Sequence, residues 1–352
     1  MMIRFNNDYN CGAHPQILQA LMDTNTESYG GYGIDPWCEK AEAEIKKYLD
    51  CPEAKVHFMI GGTQVNYTVI SALLRPHQSV ISAATGHINV HETGAVEATG
   101  HKVLPQPSDD GQITAKQVRD AVISHRNDSS FEHIVQPKLV YISNPTELGT
   151  IYKLAELEEL AAVCREYGLY LFLDGARLGY GLAAADNDVT MKDLTRLCDA
   201  FYIGGTKVGA MFGEAVVIPN CVVAEDFRYL MKQRGAMLAK GWLLGVQYEA
   251  LMENDLYFEI SAHADRLADQ IRGTLNGLGY KYITETTTNQ IFPVLPDRVL
   301  EALAKDFTFA EMGRIDADHR AVRFCTSWAT KPENVDALCD ALKKISGETK
   351  NS

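Results

Sequence analysis

Two apolar runs of this chain end in residues of opposite chemistry. Leu169-Tyr170-Leu171-Phe172-Leu173 leads into Asp174-Gly175-Ala176-Arg177, and Tyr202-Ile203 leads into Gly204-Gly205-Thr206-Lys207-Val208-Gly209. A carboxylate after one buried strand and a lone lysine after a later one suit a pyridoxal phosphate (PLP) site. There the lysine forms a Schiff base and the aspartate holds the pyridinium nitrogen. A buried carboxylate needs a partner, and without a cofactor Asp174 would turn to Arg177. Gly61-Gly62-Thr63-Gln64 follows a third apolar run and opens a helical pattern. Free amides and the helix dipole make such a junction an anion site. A plain helix start capped by Thr63 is the alternative. The segment is not a P-loop, because Gly-Lys-Ser/Thr at the required spacing is missing.

His87 and His91 lie four apart in Gly86-His87-Ile88-Asn89-Val90-His91-Glu92. That spacing could serve a metal, but no third ligand accompanies it, so no metal is expected. An aromatic ring stacked on the cofactor is the better role, and His87 lies nearer the strand end. Arg177 and Arg323 each sit inside an apolar stretch. Arginine there usually holds a fixed carboxylate with its planar fork. That anion is either an internal aspartate or the carboxylate of a substrate.

These residues need a scaffold. Val56–Ile60, Ser79–Ala83, Lys138–Ser143, Leu169–Leu173, Ala200–Ile203 and Glu214–Ile218 read as buried strands, several without polar alternation. Thr63–Leu74, Thr114–Ser124 and Leu154–Tyr167 have helical spacing between them. The alternation predicts an α/β fold with a mostly parallel central sheet. Ligands of such sheets sit at the carboxyl ends of the strands. Gly61–Gln64, Asn144, Asp174 and Thr206-Lys207 should therefore converge. Long helices over Phe227–Ala250 and Tyr257–Leu278, then Gln290–Leu295, Ala321–Cys325 and a helix near Glu333–Ile345, predict a bridging helix and a smaller C-terminal α+β domain. The expected divisions are residues 1–20 near the active site, 21–250 as the large cofactor domain and 251–352 as the small one.

The bulk composition narrows the classes. The chain has 352 residues, 46% hydrophobic and 22% charged, with net charge -13. That acidity disfavours nucleic acid and anionic membrane surfaces. No apolar run approaches the roughly 20 residues of a membrane span. Eight scattered cysteines without a CxxC pair suggest reduced thiols and a cytoplasmic protein rather than zinc or a disulfide framework.

Taken together, the residues resemble the L-threonine aldolase family, fold-type I PLP-dependent enzymes within the β-eliminating lyase group. The resemblance runs from Asn7-Asp8 to about Thr326. Its most specific pieces are Tyr32-Gly33-Ile34-Asp35-Pro36, Gly62-Thr63-Gln64, His87 with Glu92, Asp174-Gly175-Ala176-Arg177, Thr206-Lys207 and Arg323. Asn7 stands where the family usually has serine, and Thr206 stands where it usually has serine before the lysine. The resemblance implies aldol cleavage of β-hydroxy-α-amino acids such as L-threonine and L-allo-threonine to glycine and an aldehyde. It implies that Lys207 carries PLP, Asp174 meets its ring nitrogen, His87 stacks on it, and Gly62, Thr63 and Thr206 help to bind it. Arg177 and Arg323, with Asn7, would hold the substrate carboxylate, and His133 would stand near the β-hydroxyl. Tyr32 would come from a neighbouring subunit of a homotetramer, a dimer of dimers with its active sites at the dimer interface. β-Elimination or transamination on the same scaffold is the alternative, and a ligand-binding protein without turnover is a remoter one.

Overall fold

The computed structural model describes residues 2–349. The six runs from Val56–Ile60 to Glu214–Ile218 are strands of one seven-stranded sheet. Its order is Lys55–Met59, Glu214–Ile218, Ala200–Gly204, Tyr170–Asp174, Gln136–Ser143, Gln78–Ala83 and Val103–Gln106. Glu214–Ile218 runs antiparallel to both its neighbours, and the other pairings are parallel. Side chains alternate between two cores. Val140, Ile142, Leu171, Leu173 and Ile203 join one, while Leu139, Tyr141, Phe172 and Tyr202 join the other. Both faces are covered, so the strands read as continuous apolar runs rather than alternating ones.

The predicted helix over Phe227–Ala250 is two helices, Phe227–Gln233 and Trp242–Met252. Gly235 ends the first by taking a left-handed φ of 70°, with the Ala236 amide donating back to Met231 O. The connection then reaches the turn at Tyr32, whose amide donates to Ala239 O at 3.2 Å. A periodic apolar pattern cannot reveal a break imposed by that distant contact.

The helix Leu256–Leu278 bridges the two parts of the molecule. Tyr257, Ile260 and Ala264 belong to the main core, whereas Ile271 and Leu275 belong to a third core. That third core lies against an antiparallel sheet ordered Ala310–Arg314, His319–Cys325, Gln290–Pro296 and Lys281–Thr284. The helix Pro332–Thr349 contributes Leu338 and Leu342 to it. The N-terminal residues join this C-terminal part. Ile3–Arg4 pairs in parallel with Phe307–Thr308, and Phe5 packs edge-on against Phe324 at 6.4 Å.

Immediately after Asp174 the chain passes very close to its neighbour strand. A Cβ on Gly175 would lie 1.8 Å from Tyr202 O. Gly175→Ala should therefore force the strand ends apart and destabilise the fold by about 1–3 kcal/mol, with loss of cofactor binding. Thermal unfolding with and without PLP checks this, and an unchanged melting temperature would contradict the close approach.

Candidate active site

Asp174 is buried at the end of its strand, level with Ser143 on the neighbouring strand. Tyr202 Oη (2.5 Å) and the Ala176 amide (2.9 Å) donate to Oδ1. Tyr141 Oη (2.6 Å) and Asn66 Nδ2 (2.9 Å) donate to Oδ2. Burial alone would raise its pKa, but the His87 charge, the two tyrosine hydroxyls and the Ala176 amide together lower it. The carboxylate is thus kept ionised inside the protein.

Lys207 stands on the loop between Ala200–Gly204 and Glu214–Ile218. The loop is drawn tight by Gly205 and Thr206 amides donating to Gly213 O, both at 3.1 Å, and Tyr180 Oη donates to Lys207 O at 2.6 Å. A side chain at Gly205 would meet Tyr248 Oη at 2.7 Å. Burial, then the Arg177 charge, lowers the Lys207 pKa, although Asp8, Asp174 and Glu214 act in the opposite direction. A depressed lysine pKa supplies neutral amine, the nucleophilic form.

Lys207 and Asp174 line one cavity of about 240 Å³ with Gly62, Thr63, His87, Arg177 and Thr206. The helix Gly62–Leu73 points its N-terminus into this space. A Cβ on Gly62 would approach Tyr202 Oη to 2.9 Å, so the bare backbone is what fits there. His87 Nδ1 lies 2.7 Å from buried Glu92 Oε1, which also accepts from Asn66 Nδ2. Burial would lower the His87 pKa, but the Glu92 hydrogen bond and the Asp174 charge raise it.

The arginines divide as the sequence allowed. Arg177 Nε and Nη2 donate to Asp8 at 2.7 and 3.0 Å, so its fixed anion is internal. Arg323 donates to Gln290 Oε1 (3.1 Å) and Asn6 O (3.0 Å), and its buried Nε has no hydrogen-bond partner among the described residues. Asn7 accepts from the Tyr9 amide and sits between the two residues that engage these arginines. Neither Asn7 nor Arg323 lines the cavity itself. Asn144 is buried and accepts from the Tyr152 amide, and Gln64 donates to Arg234 O, so these two turn away from it.

His133 does not join the cavity of its own chain. It ends the 3-10 turn Phe131–His133, exposed, beside a separate hollow with Leu104, Ala121 and His125. The strand beginning at Gln136 carries the chain from that turn to the active end only by Ser143, so a histidine before the strand lies at its far end. Tyr32 also lies outside the cavity. It is 44% exposed, has φ 62°, and carries Lys232 Nζ 4.4 Å from its ring centroid.

Several polar groups of the site escaped the sequence reading. Tyr141 and Tyr202 were legible in principle, because a hydroxyl inside an apolar strand needs a partner. Glu214, an acid opening an apolar strand, carried a similar signal. Glu147 carried none. Its Oε1 accepts from Ser143 Oγ (2.7 Å) and the His87 amide (2.9 Å), and burial raises its pKa.

The model of the family described as beta-eliminating lyase matches residues 11–297. The chain belongs to the beta-eliminating lyase family. It is 45% identical to a solved threonine aldolase of Leishmania major, with TM-score 0.95, over 98% of this chain and 99% of that one. A low specificity L-threonine aldolase of a Pseudomonas species is 29% identical over 351 residues, covering 97% of both chains. The Thermus thermophilus aspartate aminotransferase fold is shared at 16% identity, with TM-score 0.71 over 98% of this chain and 91% of that one.

The residues of this beta-eliminating lyase fit PLP. A buried ionised carboxylate, a lysine of lowered pKa and an unobstructed helix N-terminus face one space. The Asp8–Arg177 pair beside them gives a stability prediction. The Arg177 and Lys207 charges and the Asn289 hydrogen bond overcome burial and lower the Asp8 pKa from 3.8 to about 2. Its stabilisation is therefore complete above the ordinary value and is lost as pH falls through the lowered one. Asp8→Asn should cost about 3–5 kcal/mol at neutral pH by leaving Arg177 buried without its anion, and much less in acid. Urea unfolding at neutral and acid pH measures this, and an equal loss at both would contradict it.

Proposed function

We propose that this protein is a PLP-dependent aldehyde-lyase that cleaves L-threonine and L-allo-threonine to glycine and acetaldehyde. The observation that carries the reading is the joint presence of ionised Asp174 and the Lys207 amine in one cavity, in a chain so similar to a solved threonine aldolase. When bound, PLP supplies an electron sink for the pair released from the Cα–Cβ bond. Lys207, whose pKa is lowered by burial and the Arg177 charge, would hold the cofactor through its amine. Asp174 keeps positive charge on the ring nitrogen. Gly62 and Thr63 would hold the phosphate with Thr206 beside the lysine, and the His87 ring would stack on the cofactor.

Arg177, steadied by Asp8, and Arg323, steadied by Gln290 and Asn6, hold the substrate carboxylate with help from Asn7. Fixing the carboxylate fixes rotation about Cα, which decides which bond breaks. His87 and Glu147 are the cavity groups suited to exchange the β-hydroxyl proton, because the pKa of each is raised. His133 is not assigned that part within its own chain. Residues 21–250 hold the cofactor, and 251–352 contribute Arg323.

In this reading the protein is cytoplasmic and assembles as a homotetramer in which Tyr32 faces a neighbour's active site. Sedimentation of the purified protein as a monomer would contradict that assembly. Purified protein should be yellow and release glycine and acetaldehyde from threonine. Lys207→Ala should lose the visible absorbance and the turnover together, and Asp174→Asn should lower kcat on the order of 100-fold. Pyruvate and ammonia as products, or a requirement for an amino-group acceptor, would replace this reading with elimination or transamination.

A further inference from the structure

Glu214 lines the cavity yet has no part in the reaction just described. It pairs across the sheet with Met59 and Gly204. Met59 leads into Ile60-Gly61-Gly62, so Glu214 stands beside the strand that delivers the N-terminus of Gly62–Leu73. Thr206 Oγ1 donates to its Oε1 at 2.8 Å, and the Gly205 amide donates to its Oε2 at 3.1 Å. The residue is only 4% exposed. The charged groups acting on it are Lys207, which favours its ionisation, and Asp174, which opposes it. Tyr202 on the adjacent strand, Tyr248 from Trp242–Met252 and Tyr257 from Leu256–Leu278 also feel its charge, and all three have raised pKa values, so they remain neutral. Burial dominates and pushes Glu214 up to about 8.

On the PLP reading, Gly62 and Thr63 hold the phosphate, and Thr206, whose hydroxyl Glu214 receives, lines the same cavity. The lysine and arginine lining this cavity are Lys207 and Arg177. Arg177 is engaged by Asp8, and Lys207 is committed to the cofactor. A phosphate dianion beside an ionised buried carboxylate is strongly unfavourable. We propose that Glu214 is a positioning residue that must hold its proton while the phosphate is bound, so that its ionisation loosens the cofactor. This rests on the PLP reading and adds a proton to cofactor binding. Below the free protein's Glu214 pKa the proton is already present and binding is indifferent to pH. Above it, binding takes up a proton and weakens as pH rises.

The test uses pyridoxine 5′-phosphate, which has no aldehyde and cannot bond to Lys207. Its dissociation constant is measured by equilibrium dialysis for the wild-type protein and Glu214→Gln, each first freed of PLP with hydroxylamine. Between about pH 7 and about pH 9.5 the wild type should lose roughly tenfold more affinity than the variant, which accepts from Thr206 as a permanently neutral group. Parallel curves, or a variant weaker by one constant factor at every pH, overturn the proposal and leave the PLP reading standing. A difference of the same size with phosphate-free pyridoxine also overturns it, because the phosphate is then not the group being sensed. No binding by either protein near neutral pH overturns the PLP reading and the proposal with it. Should Glu214→Gln not fold, calorimetry of the wild type near pH 9 in two buffers of different ionisation enthalpy reads proton uptake directly. About one proton more for pyridoxine 5′-phosphate than for phosphate-free pyridoxine supports the proposal, because protonation of the ring nitrogen is common to both, and no difference overturns it.

Discussion

Keeping Asp174 ionised inside the protein is the constraint on which the site depends. A carboxylate out of water is tolerated only when its lone pairs are met. Its donors come from separate places: Tyr141 and Tyr202 on the flanking strands, Asn66 on the helix Gly62–Leu73, and the Ala176 amide just beyond. Parallel pairing sets the strands in register, with Ser143 level with Asp174 and Phe172 level with Ala200. The two tyrosines then reach one carboxylate from either side. A shift of one residue in either strand would turn a tyrosine to the other face and leave the charge short of a donor.

A second constraint ties the C-terminal part to the first. Phe5 anchors the N-terminal segment in the C-terminal core. The residues that follow cross to the site, where Asn6 O receives Arg323 and Asp8 receives Arg177. Asn289, from the C-terminal part, donates to the same Asp8 carboxylate at 3.0 Å. One short strap therefore orients cations from both parts of the molecule. On the proposed reading the two arginines act on one small ligand only if the strap holds its place, which makes residues 6–8 part of the site although they contribute little to the main core.

The large sheet was legible because burial on both faces writes itself as unbroken apolar runs. The polar residues at the ends of those runs led to Asp174 and Lys207 without any knowledge of tertiary contacts. The break at Gly235 was not legible, since it is fixed by contact with the turn at Tyr32, remote in sequence. The misplacement of His133 has a related cause. Family likeness places His133 near the β-hydroxyl, but within its own chain it precedes the strand Gln136–Ser143 and so stands at the opposite end. Glu147, which follows that strand, occupies the active edge instead. The end of the strand a residue flanks is thus a stronger guide than its type.

The acids of the cavity show how one pocket sets different protonation states. Asp174 receives four hydrogen bonds from protein groups and faces the His87 charge, and its pKa falls despite burial. Glu214 receives two, from Thr206 and Gly205, and its pKa rises to about 8. Glu147 receives Ser143 and the His87 amide, feels the Asp174 charge, and also rises. Burial opposes charge at all three, so the number of donors and the sign of the nearest charge decide the outcome. The Asp174 charge itself opposes the ionisation of Glu147 and Glu214. The site therefore favours negative charge where a ring nitrogen would be protonated and opposes it at Glu147 and Glu214.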